Sequence, residues 1–255
     1  MLDERFNLNG KVALITGSGR GIGLAIGETL SEHGAAVVLH DIELNVAKAA
    51  AEKITSRGRK AIAFGGDIED LSLPKRLVTD AVGAFGGLHI LVNNASIQSR
   101  ESWLDVDVET IHREVNANLI SPILFSQLAA RIFKPQRFGR IINLGSIQQI
   151  RGNPWMLPYS LTKAAMEKLT TAMARDLAKD GITVNLIAPG WMNTHRNRED
   201  FPTEERKIEI GKKHVPLGRV GEASDCAGIA LLLCSEAGEY ITGQSIFVDG
   251  GMSTS

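Results

Sequence analysis

The sequence predicts a doubly wound α/β fold, a parallel seven-stranded sheet flanked by helices on both faces. Three observations carry this. Short β-branched runs alternate with amphipathic stretches almost from end to end. The runs are apolar on both faces, as strands covered by helices on each side must be. The first four runs begin 24, 25 and 29 residues apart, room for one right-handed crossover helix each.

Taken in order, Val12–Thr16 leads into a helical pattern near 22–33, Ala36–His40 into one near 43–57, and Ala61–Phe64 into one near 70–85. Ile90–Asn93 precedes a long pattern near 107–132, and Arg140–Leu144 precedes another near 158–179. Thr183–Ile187 follows, then a helix near 222–235 and a last strand, Ser245–Val248. No low-complexity linker or charge run divides the chain, so a single domain over 1–255 is expected. The exception to the alternation is 191–215, from Trp191 to Val215, which is polar, carries Pro202 and lacks a strong period. An insertion of that length is expected to be a substrate loop or lid.

The 255 residues carry 28 basic and 29 acidic side chains and a formal charge of −1. Near-neutral charge without a Lys/Arg block leaves no footprint for nucleic acid. The longest apolar stretches, such as Ile229–Cys234, fall far short of the roughly 18 residues of a spanning helix, so no membrane partner is expected. Met1-Leu2-Asp3-Glu4-Arg5 has no apolar segment and reads as no signal peptide. Cys226 and Cys234 lie eight apart in one apolar helical pattern and read as buried core thiols. These features together suggest a reducing, cytoplasmic setting.

After the first strand comes Thr16-Gly17-Ser18-Gly19-Arg20-Gly21-Ile22-Gly23, running straight into a helix. Glycines there let the backbone approach a pyrophosphate, and the helix start offers unpaired N–H groups and partial positive charge. The strict G-x-G-x-x-G spacing is absent; T-G-x-x-x-G-x-G stands in its place. Asp41, ending the second strand 18 residues past Gly23, suits the adenosine ribose hydroxyls of NAD and would repel a 2′-phosphate. Arg20 points the other way, since a guanidinium beside the turn could hold the extra phosphate of NADP, with His40 helping if protonated. NAD is the preferred expectation and NADP the alternative.

Tyr159 and Lys163 stand at i and i+4 on one helix face. A free phenol, with a pKa of about 10, is a poor base at neutral pH. A lysine cation one turn away favours the phenolate and brings it into the range of acid–base catalysis. Thirteen residues earlier, just past the fifth strand, Ser146 lies where open parallel sheets bind ligands and could donate to a developing oxyanion. The fourth strand ends in Asn93-Asn94-Ala95, and the next helix contains Val115-Asn116.

With Asp67 after the third strand and Pro189-Gly190 after the sixth, this set resembles the short-chain dehydrogenase/reductase family, in order from about Asn7 to Gly251. The resemblance implies a Rossmann fold and an NAD(P)-dependent enzyme acting on CH–OH groups, by reversible hydride transfer between a secondary alcohol and a ketone. It implies that Gly17, Gly21 and Gly23 cradle the pyrophosphate beside Ile22. Asp41 would hold the adenosine ribose, Asp67 and Ile68 flank the adenine, and Asn94 lie under the cofactor while pinning the sheet. Tyr159 would be the general acid/base and Ser146 polarise the substrate oxygen. Lys163 would bind the nicotinamide ribose and favour tyrosinate, and Asn116 bend its helix and serve a proton relay. Pro189, Gly190 and Thr194 resemble the segment that clasps the carboxamide. Members commonly form homotetramers through the long helices (here near 107–132 and 158–179) and the C-terminal strand with Asp249-Gly250-Gly251. Two departures stand out: Ser96 replaces the usual glycine after N-N-A, and Gly145 precedes the serine.

No metal is required, and no His/Cys/Asp cluster at ligand spacing occurs. His33, His40, His89, His112, His195 and His214 are scattered and read as structural or surface residues, His195 and His214 least so because they lie in the 191–215 loop. The substrate pocket is expected after N-N-A (Ile97, Gln98, Arg100), after the serine (Gln148, Gln149, Arg151, Trp155) and in the loop (Trp191, Met192, His195, Arg196, Arg198). That polar, partly basic set suits a small-molecule substrate with several hydroxyls: a sugar, sugar acid or polyol. The whole is similar to the gluconate and sugar dehydrogenases of the family. The alternatives are an NADPH-dependent reductase of 3-oxoacyl thioesters and a non-catalytic nucleotide-sensing module.

Overall fold

In the computed structural model, which describes residues 2–254, the chain opens with three strand–helix units. These are β1 (Val12–Ile15) with α1 (Gly21–Glu32), β2 (Ala36–Asp41) with α2 (Leu44–Thr55), and β3 (Ala61–Gly65) with α3 (Leu73–Phe85). Then follow β4 (Ile90–Asn93), α4 (Val108–Val115), α5 (Ser121–Gln136), β5 (Gly139–Leu144), α6 (Leu157–Leu177) and β6 (Ile182–Pro189). The last part contributes β7 (Met192–Asn193), α7 (Glu204–His214), β8 (Gly221–Glu222), α8 (Ala227–Cys234) and β9 (Ser245–Val248). Met1, the first residue of the N-terminal stretch read above, and Ser255 lie outside the described residues.

Seven strands pair in parallel in the order β3-β2-β1-β4-β5-β6-β9. The two-sided apolarity of the strands is explained by their burial. Ala13 and Ile15 face a core shared with Ile26 and Leu30 of α1 and Ala230 and Leu233 of α8. Their neighbours Val12 and Leu14 face the opposite core, with Leu77 of α3, Phe125, Ala129 and Phe133 of α5, and Leu177 of α6. Strand order reverses between β1 and β4, and this switch point opens the crevice in which doubly wound sheets take ligands.

Three segments differ from the sequence expectation. The long helix expected near 107–132 is broken by a π turn over Asn116–Ile120, where the Ser121 N–H reaches back to the Asn116 carbonyl. Pro122, with no N–H to give Asn118, prevents the α ladder from closing there. The helix expected from 222 begins as a 3₁₀ turn and is α-helical only from Ala227. Residues 191–215 are not a periodless loop: β7 pairs with β8, and α7 fills the second half. Only Ile210 and Gly211 of α7 are buried, so its apolar stripe is too thin to read as a period. Its end signals were present in the sequence: Thr203 caps Arg206 N–H, Glu204 and Glu205 begin the helix, and Lys212, Lys213 and His214 end it.

A buried polar chain ties the middle of the sheet to its helices. Asn93 of β4 donates to Asn143 Oδ1 of β5 (2.9 Å) and to Ser126 Oγ of α5 (3.1 Å). Asn143 in turn donates to Thr170 Oγ1 of α6 (2.8 Å). Removing the central member strands the others in the core. Asn143→Ala is therefore expected to lower unfolding stability by about 2 to 3 kcal/mol, read as a lower urea midpoint at unchanged m-value; an unchanged midpoint would contradict this.

Candidate active site

The crevice is built first by the turn after β1. Thr16 Oγ1 accepts the N–H groups of Asn94 and Ala95, and the Asn94 side chain donates to the carbonyls of Thr16 (2.9 Å) and Gly17 (2.8 Å). These bonds clamp β1 to β4 at the switch point. Gly17 has φ +62°, and a Cβ there would stand 2.8 Å from Ala95 Cα. A Cβ on Gly23 would stand 2.6 Å from both the Asn94 amide nitrogen and the Gly17 carbonyl. No side chain caps the start of α1, so the turn is a cradle of main-chain N–H groups into which no Cβ intrudes. That geometry fits a dinucleotide pyrophosphate.

Asp41 ends β2 only 7% exposed and accepts the Glu43 N–H (3.2 Å). Arg20 lies 4.0 Å from Asp41 and pairs with Glu43 at 2.5 Å, so its guanidinium is drawn toward carboxylates. His40 does not behave as the sequence suggested. It is buried, its Nε2 bonds the Gly66 carbonyl (2.9 Å), and its Nδ1 accepts the Gly17 N–H (3.3 Å). Burial holds its pKa below the ordinary histidine range, and a ring with one donor and one acceptor contact is neutral. The expectation that protonated His40 assists a 2′-phosphate is overturned.

The second half of the site comes from β5 and α6. Ser146 caps a 3₁₀ turn over Ile147–Gln149; its Oγ accepts the Gln148 N–H (3.2 Å), which leaves the hydroxyl proton to donate. Gly145 leaves room for Gln149 Oε1 and the Leu186 side chain, both of which would have to shift to admit a Cβ. Tyr159, 5% exposed, sits in the first turn of α6 behind Pro158. Lys163, 3% exposed, follows one turn later with Nζ 5.5 Å from the Tyr159 ring centroid. That Nζ donates to the Leu144 carbonyl at 2.6 Å. Burial lowers the Lys163 pKa to about 7, Arg196 adding to the effect and Glu114 opposing it.

Both halves open into one cleft of about 640 Å³. Its walls include Gly17, Arg20, Gly21, Ile22, Asp41, Asp67, Ile68, Asn94, Ser146, Tyr159, Lys163, Pro189, Gly190 and Thr194. Gln98, Gln148 and Trp191 lie on the same walls. Gly23 lies beneath the turn, packed on Asn94. Asn116 is not on the cleft wall; it begins the π turn. Four residues expected in the pocket are elsewhere. Gln149 is buried as the partner of Glu167 and of the Ser146 N–H. Arg151 bonds the Met252 carbonyl, Arg198 bonds His195, and Trp155 lines an adjoining groove. Glu114 escaped the sequence reading: it is the only buried position of α4, and its carboxylate accepts both the N–H and hydroxyl of Ser99 at 2.5 Å. A carboxylate on a helix face that packs inward was the available signal.

No group of three or more His, Cys, Asp or Glu positioned for a metal ion occurs among the described residues. No described helix is long and apolar enough to cross a membrane. Cys226 and Cys234 are buried and unpaired, burial pushing both thiols up to about 12.

Because folding lowers the Lys163 pKa from 10.5 to about 7, the folded chain binds fewer protons than the unfolded chain between those values. Its contribution to stability therefore rises as pH climbs through that window. Lys163→Met removes this dependence: relative to wild type the variant is most stable at or below pH 7 and loses that advantage toward pH 10. Urea midpoints of the ligand-free proteins measure it, and a pH-independent difference between them would contradict the burial argument.

Comparison with known proteins agrees with this geometry. Residues 17–253 match the family model described as enoyl-(acyl carrier protein) reductase. A 2-dehydro-3-deoxy-D-gluconate 5-dehydrogenase of Dickeya dadantii is 37% identical over 252 residues, 98% of each chain. A 3-oxoacyl-(acyl-carrier-protein) reductase of Aquifex aeolicus is 36% identical over 96% of this chain and 98% of its own. The crystal structure of a gluconate 5-dehydrogenase from Burkholderia cenocepacia in complex with NADP and tartrate superposes with a TM-score of 0.92. It is 35% identical and covers 100% of this chain and 99% of its own. With a turn, a serine, and a tyrosine–lysine pair converging at the switch point of such a sheet, the chain belongs to the short-chain dehydrogenase/reductase family and is an oxidoreductase acting on CH–OH groups.

Proposed function

We propose that this enzyme oxidises a secondary alcohol reversibly to a ketone with NAD, its substrate being a sugar, sugar acid or polyol. The observation that carries the proposal is the convergence of Ser146, Tyr159 and buried Lys163 on the cleft that also holds the glycine turn. When bound, the nicotinamide supplies the hydride acceptor. The main chain at Gly17, Gly21, Ile22 and Gly23 binds the pyrophosphate, with Asn94 holding the turn from below. Asp41 accepts the adenosine ribose hydroxyls, and Asp67 and Ile68 flank the adenine. Pro189, Gly190 and Thr194 orient the carboxamide. Lys163, one turn from Tyr159 with Nζ 5.5 Å from its ring centroid, holds the nicotinamide ribose. Tyr159 takes the alcohol proton as the bond to hydrogen breaks, while the Ser146 hydroxyl donates to the substrate oxygen and stabilises its developing charge. Asn116, at the π turn, would hold a water in a relay that carries the proton toward solvent.

Gln98 and Gln148 support a polyhydroxy substrate. Both line the cleft, and Gln148 Oε1 is buried without a partner, ready to accept a hydroxyl. Asp41 supports NAD, since a carboxylate there opposes a 2′-phosphate. An NADPH-linked 3-oxoacyl thioester reductase is the second reading, favoured by Arg20 and by the Aquifex relative. Against it, Arg20 is engaged with Glu43 in this structure. A non-catalytic sensing module would have no use for Ser146, Tyr159 and Lys163 together.

The proposal extends to a cytoplasmic enzyme, consistent with its two reduced thiols, folded as one domain over 1–255 with 191–215 as the substrate lid. It also includes a homotetramer paired through α4, α5 and α6, on which Val108 and Leu161 present exposed apolar side chains.

NADH formation across a panel of aldonates, sugars and polyols is expected to exceed NADPH formation and to exceed turnover of 3-oxoacyl thioesters. Tyr159→Phe is expected to lower kcat about 10³-fold while NAD affinity changes less than about twofold. Retained turnover in that variant would remove the acid–base assignment.

A further inference from the structure

The cations of the cleft are not alike. Arg100 forms two bonds of 2.6 Å with the Asp200 carboxylate, Arg113 grips Glu69 at 2.8 and 2.9 Å, and Arg20 pairs with Glu43. Arg196 is different. Its Nη1 donates to the Ser96 hydroxyl (2.9 Å) and its Nη2 to the Ser96 carbonyl (2.6 Å), both neutral acceptors. No carboxylate stands within ion-pair distance of Arg196 or of Lys163 among the described residues. The two residues line the same cleft, and their charges repel enough to depress Lys163 protonation. A guanidinium has five N–H donors, so two bonds to Ser96 leave three to offer. The surroundings are those of a recognition site: Gln98, Gln148 and Trp191 share the wall.

Arg196, exposed and without a carboxylate partner among the described residues, leaves positive charge on the cleft wall that can receive an anion. One anion is the dinucleotide pyrophosphate, for which the glycine turn and the start of α1 are already built. Arg196 lies on the short turn that follows β7 and hydrogen-bonds Ser96, three residues past the end of β4. It is anchored by Ser96, the residue that brings a hydroxyl where the family resemblance leads one to expect glycine.

We propose that Arg196, held by Ser96, is a specificity-determining residue that receives the carboxylate of an acid substrate, so that this enzyme takes sugar acids in preference to neutral polyols. This rests on the reading of the cleft as a site for polyhydroxy substrates. Planar, bidentate N–H geometry suits a carboxylate, and a charge-assisted pair discriminates acid from alcohol far better than the two glutamines can. The Ser96 anchor fixes the guanidinium before substrate arrives, which reduces the ordering cost of binding.

The test compares wild type, Arg196→Gln and Ser96→Gly by calorimetric titration of the NAD-loaded protein with D-gluconate and with sorbitol, alongside titration of the free protein with NAD. Arg196→Gln is expected to weaken gluconate binding about 30-fold, the loss of a charged hydrogen-bonded pair, with sorbitol and NAD changed less than about twofold. Ser96→Gly is expected to weaken gluconate in the same selective way but by less. Equal weakening of gluconate and sorbitol, or unchanged gluconate binding, overturns the proposal. A tenfold loss of NAD affinity overturns it in favour of a phosphate contact. Wild type that fails to bind gluconate also overturns it. If gluconate binds through Arg196 yet no sugar acid is oxidised, the carboxylate site stands and the dehydrogenase reading falls. If sugar acids are oxidised equally by wild type and Arg196→Gln, the reverse holds.

Discussion

An ammonium held almost out of solvent, against a main-chain carbonyl at the carboxyl end of an interior parallel strand, is the constraint around which this molecule is arranged. Lys163 reaches the Leu144 carbonyl at 2.6 Å from α6, so helix and strand are pinned to each other where the chemistry is expected. A lone charge in that position is expensive, and burial accordingly brings the lysine toward neutrality at physiological pH. The surrounding structure bears the cost. The 21-residue α6 is locked to the sheet through Thr170 and Asn143, and the sheet is locked through Asn93 to α5. The Tyr159 ring is fixed one turn before the lysine, and Gly145 lets the Ser146 turn fold back over the strand end.

The distribution of the remaining charges follows from the same economy. At the cleft rim, arginines and carboxylates neutralise one another in bidentate pairs, contributing shape more than net field. Deeper in, Lys163 is buried, with the Glu114 carboxylate offsetting the cost of its charge, while Arg196 on the exposed wall has only the neutral oxygens of Ser96 as partners among the described residues. The segment carrying Arg196 also carries Thr194, beside Gly21, and His195, 3.5 Å from Arg20. Through these contacts and the Arg196–Ser96 bonds the segment packs against the glycine turn and the end of β4.

The strands and the glycine turn were legible in the sequence because each rests on a local rule. A strand between two helical layers must be apolar on both sides, and a backbone that approaches Ala95 and Asn94 this closely excludes a Cβ. Tyr159 and Lys163 were legible for the same reason, since i and i+4 share a helix face. What escaped depends on longer-range packing. The thin apolar stripe of α7 left only its charged ends to announce it, and those signals went unread. The resemblance implied a bend at Asn116, but its π form needed Pro122 to be weighed against a helix otherwise continuous in pattern. Gln149 looked like a pocket residue beside Gln148, but a capping turn sends adjacent side chains to opposite sides, one into the cleft and one onto Glu167. The Ser146-x-x-Gln149 spacing of a capping box was the local signal that sets Gln149 apart from Gln148.

The central claim is that the Tyr159 hydroxyl exchanges a proton with the substrate oxygen while Ser146 donates to that same oxygen. A crystal structure of the enzyme with NAD and an unreactive substrate analogue tests it most directly. The account predicts one ligand oxygen within hydrogen-bond reach, about 3 Å, of both Tyr159 Oη and Ser146 Oγ, with the Lys163 ammonium on the nicotinamide ribose. A ligand oxygen held by Ser146 alone, with Tyr159 Oη more than about 5 Å away, would contradict it.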